Sequence, residues 1–441
     1  MPFSRRWAMS VEVPKGWREG RLKDLCESVE RRLGAGDKLE VLSVAKRGVV
    51  PQSQTYDKEI ASDDVSRYRV IEPGEFGLAP MALYYGAIGR YRGPAPGIIS
   101  PAYNVFRHTT HADPDYLENL IRMPRMIARY DALSQGGNLE GKRKLTPYDA
   151  FETVQIAIPP LAEQRAIANI LGAVEEAIAK TEALIAALAN TKTATMRELL
   201  TRGIRRDKAQ MKPLPARWVL GRVAEGITHI PADWDLVTLT KIAKLESGHT
   251  PDRKEPAYWD GNIPWISLRD ADALTKVTIS ETAETIGPLG LANSSARMLP
   301  AGTVVFQRTA NVGLASVMGR EMCTSQHFAN WICGRKLDPY YLQQVFRHMS
   351  REWQRLVAGS VLPDIYMGTF KALQILLPPL AEQKKIGEVG VAFDLRIEEE
   401  RSTLTALSEN RKALAQELLS GRERLPHSMI ARHREKAGQA A

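Results

Sequence analysis

Residues 159–164 read Pro159-Pro160-Leu161-Ala162-Glu163-Gln164, and the same six residues recur 219 positions later as Pro378-Pro379-Leu380-Ala381-Glu382-Gln383. By chance an identical hexamer pair arises about once in several hundred chains of this length. The match extends without a gap: Phe151 pairs with Phe370, Gln155-Ile156 with Gln374-Ile375, Ile167 with Ile386, Ile178 with Ile397, and Glu198-Leu199-Leu200 with Glu417-Leu418-Leu419. A second anchor lies upstream of each hexamer, where Val13-Pro14, Trp17 and Leu22 match Ile230-Pro231, Trp234 and Leu239. The chain is therefore a tandem duplication with the order globular, helix, globular, helix. With 441 residues it needs several domains. The repeat sets them at 1–158 (first module), 159–205 (first helix), 206–229 (basic linker), 230–377 (second module), 378–421 (second helix) and 422–441 (basic tail).

The stretch after each hexamer has the pattern of a long helix. The prolines suit a helix start, and from Leu161 to Leu200 there is no further proline and a single glycine. Ile167, Leu171, Val174, Ile178, Thr181, Ile185, Leu188, Lys192, Thr195 and Leu199 follow a 4,3 spacing, the seam rhythm of a left-handed coiled coil. The second copy gives Ile386, Gly390, Phe393, Ile397, Glu400, Leu404, Leu407, Arg411, Leu414 and Leu418. Polar interruptions coincide, Thr181 with Glu400 and Lys192 with Arg411; Gly390 and Glu400 are expected to weaken the second seam. One such stripe usually marks an amphipathic helix on a globular core. Two matched copies favour an antiparallel pair that spaces the modules. Forty residues give about 60 Å of helix.

The modules read as mixed α/β (α+β) units. The first has strand-like runs at Val41–Val44, Arg69–Ile71 and Ile98–Phe106, broken by Pro73-Gly74 and Gly93-Pro94, and helices over Tyr116–Tyr130. The second follows the same path, with Pro300-Ala301-Gly302 where Glu72-Pro73-Gly74 stands in the first.

Catalytic signatures fail on inspection. Gly136 to Lys142 has phosphate-loop spacing, but Arg143 stands where Ser or Thr must hold magnesium. There is no methyltransferase Asn-Pro-Pro-aromatic motif and no dinucleotide fingerprint, and Pro251-Asp252 and Pro363-Asp364 lack the downstream acid-x-Lys of a nuclease. The eight histidines are scattered, so no metal site is expected. Cys26, Cys323 and Cys333 form no Cys-x-x-Cys pair and read as reduced packing residues. No apolar run reaches the length of a membrane span and residues 1–20 are too charged for a signal peptide, so a soluble, cytoplasmic protein is expected.

The net charge of +9 invites a nucleic-acid partner, but its distribution matters more. Residues 1–158 hold 23 basic and 20 acidic groups, and 230–377 hold 15 and 14, so both modules are nearly balanced. The excess lies in 202–229, seven against two, and in the tail from Arg422, five against two.

The twice-occurring Pro-Pro-Leu-x-Glu-Gln lead-in to a helix ending in Glu-Leu-Leu-Thr/Ser resembles the specificity subunits of Type I restriction-modification systems. So do Ser247-Gly248-His249-Thr250-Pro251, Tyr258-Trp259, Gly261-Asn262 and Ile263-Pro264-Trp265-Ile266, and, in the first half, Val49-Val50-Pro51-Gln52, Gly86-Ala87-Ile88-Gly89 and Ile99-Ser100-Pro101-Ala102-Tyr103. The likeness runs to about Gly421. It implies two target recognition domains, each reading one half of a bipartite, asymmetric target in double-stranded DNA, with a helix pair that sets the gap and docks methyltransferase subunits, two in number. It also implies no catalytic residues on this chain: S-adenosylmethionine, ATP and magnesium would belong to modification subunits and to any restriction and translocase subunit. Candidate DNA contacts are Lys46, Arg47, Gln52, Arg143 and Lys144 in the first module, and Thr250, Arg269, Arg308, Asn311, Gln326 and His327 in the second. Each has a plain alternative as a turn, a salt bridge or a solvated charge. Trp17, Trp234, Trp259 and Trp265 read as core. Two other readings stand beside this one: a recognition subunit of a different modification system, and a coiled-coil adaptor that binds proteins and has no affinity for DNA.

Overall fold

A computed structural model of the chain describes residues 12–34, 39–55, 64–135, 144–204, 210–215, 218, 220–357 and 363–438. In the first copy the strands are β1 (Arg18–Arg21), β2 (Cys26–Val29), β3 (Glu40–Ala45), β4 (Gly48–Pro51), β5 (Arg69–Ile71), β6 (Phe76–Leu78), β7 (Ile88–Arg90), β8 (Gly97–Ile99), β9 (Asn104–His108) and β10 (Gln155–Ile158). The helices are α1 (Pro114–Ile121), α2 (Pro124–Leu133), α3 (Tyr148–Glu152) and the long α4 (Leu161–Arg202). Two four-stranded sheets run β2-β9-β6-β7 and β4-β3-β8-β5, and β1 pairs antiparallel with β10. The run expected as one strand over Ile98–Phe106 is two, because Ser100-Pro101 turns the chain between them. The helices expected over Tyr116–Tyr130 are α1 and α2, which part where Pro124 restricts Met123 to an extended backbone (φ −61°, ψ 142°).

The second copy contains β11 (Met211–Pro213), β12 (His229–Pro231), β13 (Asp235–Thr238), β14 (Ala243–Ser247), β15 (Ile263–Ile266), β16 (Thr278–Ile279), β17 (Thr285–Ile286), β18 (Val304–Gln307), β19 (Ala315–Met318), β20 (Cys323–Thr324), β21 (Phe328–Cys333) and β22 (Gln374–Leu377). Its helices are α5 (Pro288–Ala292), α6 (Pro339–His348), α7 (Ser350–Val357), α8 (Met367–Lys371) and the long α9 (Leu380–Ser420), after which α10 (His427–Gly438) ends the described chain. A five-stranded sheet β14-β21-β18-β19-β16 carries the core, a three-stranded sheet β17-β15-β20 flanks it, and β13 pairs with β22 as β1 does with β10.

The chain divides into two compact units, Met1–Ala179 with Ala406–Ala441, and Lys180–Thr405. Each holds one module and a segment of both long helices. In the first unit Ile167 and Leu171 of α4 share a core with Leu418 and Leu419 of α9; in the second, Met196 and Leu200 of α4 share one with Ile386 of α9. Within each unit the start of one helix thus packs beside the end of the other, so the pair is antiparallel.

The stretch 206–229, read from the sequence as a linker, supplies β11 and buries Trp218 and Val223 in the second unit's core. In the tail, Arg424 reaches back to both carboxylate oxygens of Glu163 at 2.9 Å.

The repeated hexamer fastens each long helix to its module. Gln164, buried, accepts the Asp113 amide at 2.9 Å and donates to the carbonyls of His111 and Pro159, both at 3.0 Å. Gln383 repeats this with the Asp338 amide at 2.9 Å and the carbonyls of Lys336 at 3.0 Å and Pro378 at 2.8 Å. Asp113 and Asp338 in turn cap α1 and α6. The preceding glutamates also match: Trp17 Nε1 donates to Glu163 at 3.2 Å, and Trp234 Nε1 to Glu382 at 2.9 Å.

Candidate nucleic-acid interface

Every seam position is buried or half-buried. Ile167, Leu171, Ile386, Gly390, Ile397, Glu400 and Leu418 are buried; Val174, Ile178, Thr181, Ile185, Leu188, Lys192, Thr195, Leu199, Phe393, Leu404, Leu407, Arg411 and Leu414 are half-buried. The polar interruptions have partners. Lys192 is ion-paired with Asp394, which also meets Arg347 at 2.9 Å and Gln344 at 2.8 Å. In the first unit Arg411 is ion-paired with Glu175 and donates to Asn119 at 3.1 Å. Burial outweighs the Asp394 carboxylate and pulls Lys192 and Arg347 below their ordinary pKa values. Gly390 is no defect: a Cβ there would lie 2.5 Å from Gln344, so the missing side chain lets α6 approach α9. Glu400 is 7% exposed and ion-paired with Arg396.

In the first module, Lys46 and Arg47 occupy the exposed turn between β3 and β4. Arg47 donates to the Gln54 carbonyl and to Thr55 Oγ1 at 3.1 Å, while the Lys46 carbonyl accepts from Arg122 at 2.9 Å. Gln52 follows β4 in a short 3-10 turn, half-buried. Lys144 belongs to another set: it pairs with Asp131 and its ammonium lies 5.1 Å from the Tyr84 ring centroid. Arg143, like the loop Gly136–Lys142, lies outside the described residues.

In the second module the structure joins most of the candidates. Thr250 Oγ1 donates to Gln326 Oε1 at 2.6 Å, both near an exposed surface. Arg308 donates to the Gln326 carbonyl at 3.2 Å, to Asp364 at 2.6 Å and to the Ile365 carbonyl at 2.8 Å. With a side chain 16% exposed and these bonds fixed, Arg308 braces two loops. His327 packs beside it, and burial followed by the Arg308 charge lowers its pKa. Asn311 is exposed on the adjoining loop, where Ala310 has φ +64°. Arg269 lies with another group: 73% exposed, it approaches Glu284 at 3.5 Å.

Sequence reasoning missed Arg253, whose guanidinium lies 3.7 Å from the Trp259 ring centroid and makes a two-bond pair with Glu284 at 2.6 and 3.0 Å. The sequence signal was the proximity of Arg253 to Tyr258-Trp259. Trp17, Trp234 and Trp265 are buried, and Trp259 is half-buried under Arg253. Gly248 of the opening motif fits because a Cβ would lie 2.0 Å from the Thr324 carbonyl. Among the described residues no group of three His, Cys, Asp or Glu could hold a metal, and no helix is long and apolar enough to cross a membrane.

Two mixed α/β modules, each bolted by a glutamine and a glutamate to an antiparallel helix pair, define a duplicated recognition scaffold. Residues 231–407 match the model of the Type I restriction modification DNA specificity domain. The chain is 30% identical over 187 residues to the Type I restriction enzyme MjaIX specificity subunit of Methanocaldococcus jannaschii, a match covering 42% of this chain and 43% of that relative. It is 23% identical to the putative MjaX specificity subunit of the same organism over 94% of this chain and 95% of that one. Its fold is similar to the crystal structure of the Type I restriction-modification S subunit from M. genitalium, with a TM-score of 0.54 and 12% identity over 92% of this chain and 99% of that one. A chain from a structure of the type I R-M system gives a TM-score of 0.53 at 18% identity, over 93% and 99%. Residues 231–407 thus carry the DNA specificity domain of Type I restriction-modification systems, and over nearly its whole length the chain is similar to a member of the specificity-subunit family. Members of that family are non-catalytic, and the catalytic activities lie on separate subunits.

Proposed function

We propose that this chain is the DNA-reading subunit of a Type I restriction-modification complex, each module recognising one half of a bipartite, asymmetric target while the α4–α9 pair sets the gap and docks methyltransferase subunits, two per chain. The observation that carries this reading is the duplication itself: two modules with the same attachment to the helices but different exposed side chains suit two different half-sites. Base-edge contacts would supply discrimination of about 1–3 kcal/mol per base pair, and exposed cations such as Arg269 would hold phosphates. S-adenosylmethionine, ATP and magnesium would be bound by the partner subunits, and the complex would act in the cytoplasm. The charge balance of the modules is compatible with recognition by hydrogen bonding more than by bulk attraction.

The test is methylation mapping by long-read sequencing in paired strains with and without this gene, its neighbours intact. Loss of methylation at one two-part motif of fixed gap is the expected result. If partner genes are active and no motif depends on this gene, a protein-binding adaptor becomes the better account.

A further inference from the structure

Tyr366 is the most exposed large hydrophobic side chain among the described residues, 77% accessible, and its hydroxyl has no hydrogen-bond partner among them. Its backbone is nevertheless firmly held. On its N-terminal side, the Pro363 carbonyl accepts from Ala310 at 2.9 Å, the Ile365 amide donates to the Arg308 carbonyl at 3.0 Å, and Asp364 is gripped by Arg308 at 2.6 Å and Thr309 at 2.8 Å. On its C-terminal side, Tyr366 caps α8, whose Phe370 is fully buried. An aromatic ring on a fixed base, aimed at solvent, contributes nothing to the core. It has two rotatable side-chain bonds, so ordering it against a ligand costs little.

Its surroundings indicate the ligand. Through Arg308, the Tyr366 segment is continuous with the exposed Thr250–Gln326 hydrogen bond and with the Asn311 loop, where Ala310 is the single non-glycine residue of positive φ among the described residues. Backbone strain of this kind persists where the surrounding structure imposes a special loop shape, often at binding sites. The carboxylate nearest the ring in the chain, Asp364, is paired with Arg308, so it presents no unpaired charge beside the ring, and this segment offers hydrogen-bonding groups and an aromatic side chain. The first module has no counterpart: the position 219 residues earlier is Pro147, half-buried at the start of α3.

We propose that Tyr366 is a specificity-determining residue of the second module alone, placing its ring against base edges in the major groove of that module's half-site. The ring suits the C5-methyl group of thymine, and the hydroxyl can donate to or accept from a neighbouring base edge. The assignment deepens the proposed function and rests on it.

The test uses the full chain purified with its methyltransferase subunits, and duplexes carrying every single base-pair substitution in both halves of the mapped target. Tyr366→Ala should weaken binding to the intact target about tenfold and abolish discrimination at one or two adjacent base pairs, all in one half-site, with an unchanged melting temperature. Tyr366→Phe should keep that discrimination and lose affinity less than about threefold. Leu289→Ala, at another exposed site of the same module, should alter nothing. Discrimination unchanged in Tyr366→Ala, affinity lost without a change in base preference, or discrimination lost in both halves would each overturn the assignment. A wild-type complex with no preference for a two-part target would overturn the proposed function as well; a wild-type complex with that preference, beside an indifferent Tyr366→Ala, would overturn only the role of Tyr366.

Discussion

Gln164 and Gln383, 219 residues apart, each join a helix-capping aspartate to the carbonyls of two loops, with bond lengths that agree to within about 0.2 Å. Their side chains are 1% and 0% exposed as residues, so no water replaces them. Gln383→Ala leaves the buried Pro378 carbonyl and the part-buried Asp338 amide and Lys336 carbonyl without this partner. It should destabilise the second unit by about 1–3 kcal/mol, read by denaturant unfolding. Gln164→Ala should do the same to the first unit. An effect below about 0.5 kcal/mol at both sites would mean that the hexamer does not fasten helix to module.

The two inter-helix charge pairs should differ sharply. Lys192 and Asp394 are 16% and 14% exposed, and Arg347 is 14% exposed. Asp394→Ala leaves the half-buried Lys192 without its ion-pair partner, while Arg347 keeps its bonds to the carbonyls of Thr275, Lys276 and Ala315, and should cost about 2–4 kcal/mol. Arg411 and Glu175 are 32% and 61% exposed, so Glu175→Ala should cost no more than about 1 kcal/mol. Equal costs at the two sites, measured by chemical denaturation, would contradict the difference in burial.

Acid should weaken the second unit through His348. Burial, followed by the Lys192 and Arg197 charges, holds its imidazole below its ordinary pKa of 6.5. The unfolded chain therefore binds more protons, and the stability contributed by neutral His348 is present above pH 6.5 and lost as pH falls toward the folded value. Unfolding midpoints measured from pH 7.5 to 5 should fall less steeply in His348→Gln than in the wild type. Parallel curves would remove His348 from the account.

Arg308 and Arg269 were equal candidates in the sequence, and the structure separates them. Arg308→Ala should destabilise the module and impair every target equally, because it removes the brace between the Gln326 and Asp364 loops. Arg269→Ala should leave stability within about 0.5 kcal/mol, weaken binding to all sequences alike and reduce the salt-dependence slope by about one. A change of base preference in Arg269→Ala would show that it reads bases instead.

The scaffold was legible in the sequence because it is written twice: the Pro-Pro-Leu-Ala-Glu-Gln repeat marked the helix starts, and the 4,3 spacing marked the half-buried stripe that includes Leu188 and Leu407. The candidate binding face was less legible. Arg308 meets Asp364 across 56 residues, Arg253 meets Glu284 across 31, and Gly390 makes room for Gln344, relationships with no local period. The exposure of Tyr366 depends likewise on how Pro363–Ile365 pairs with Arg308–Ala310, which no composition or spacing announces.

In the proposed function two modules read two half-sites and the helix pair spaces them. Inserting one heptad into each long helix, between Ala179 and Lys180 in α4 and between Thr405 and Ala406 in α9, keeps the seam in phase and adds about 10 Å of helix pair, the length of about three base pairs. Methylation mapping of a strain carrying the doubly extended chain should return both half-sites unchanged, separated by a gap about three base pairs longer. Methylation that persists at the original gap, or altered half-sites, would contradict the account.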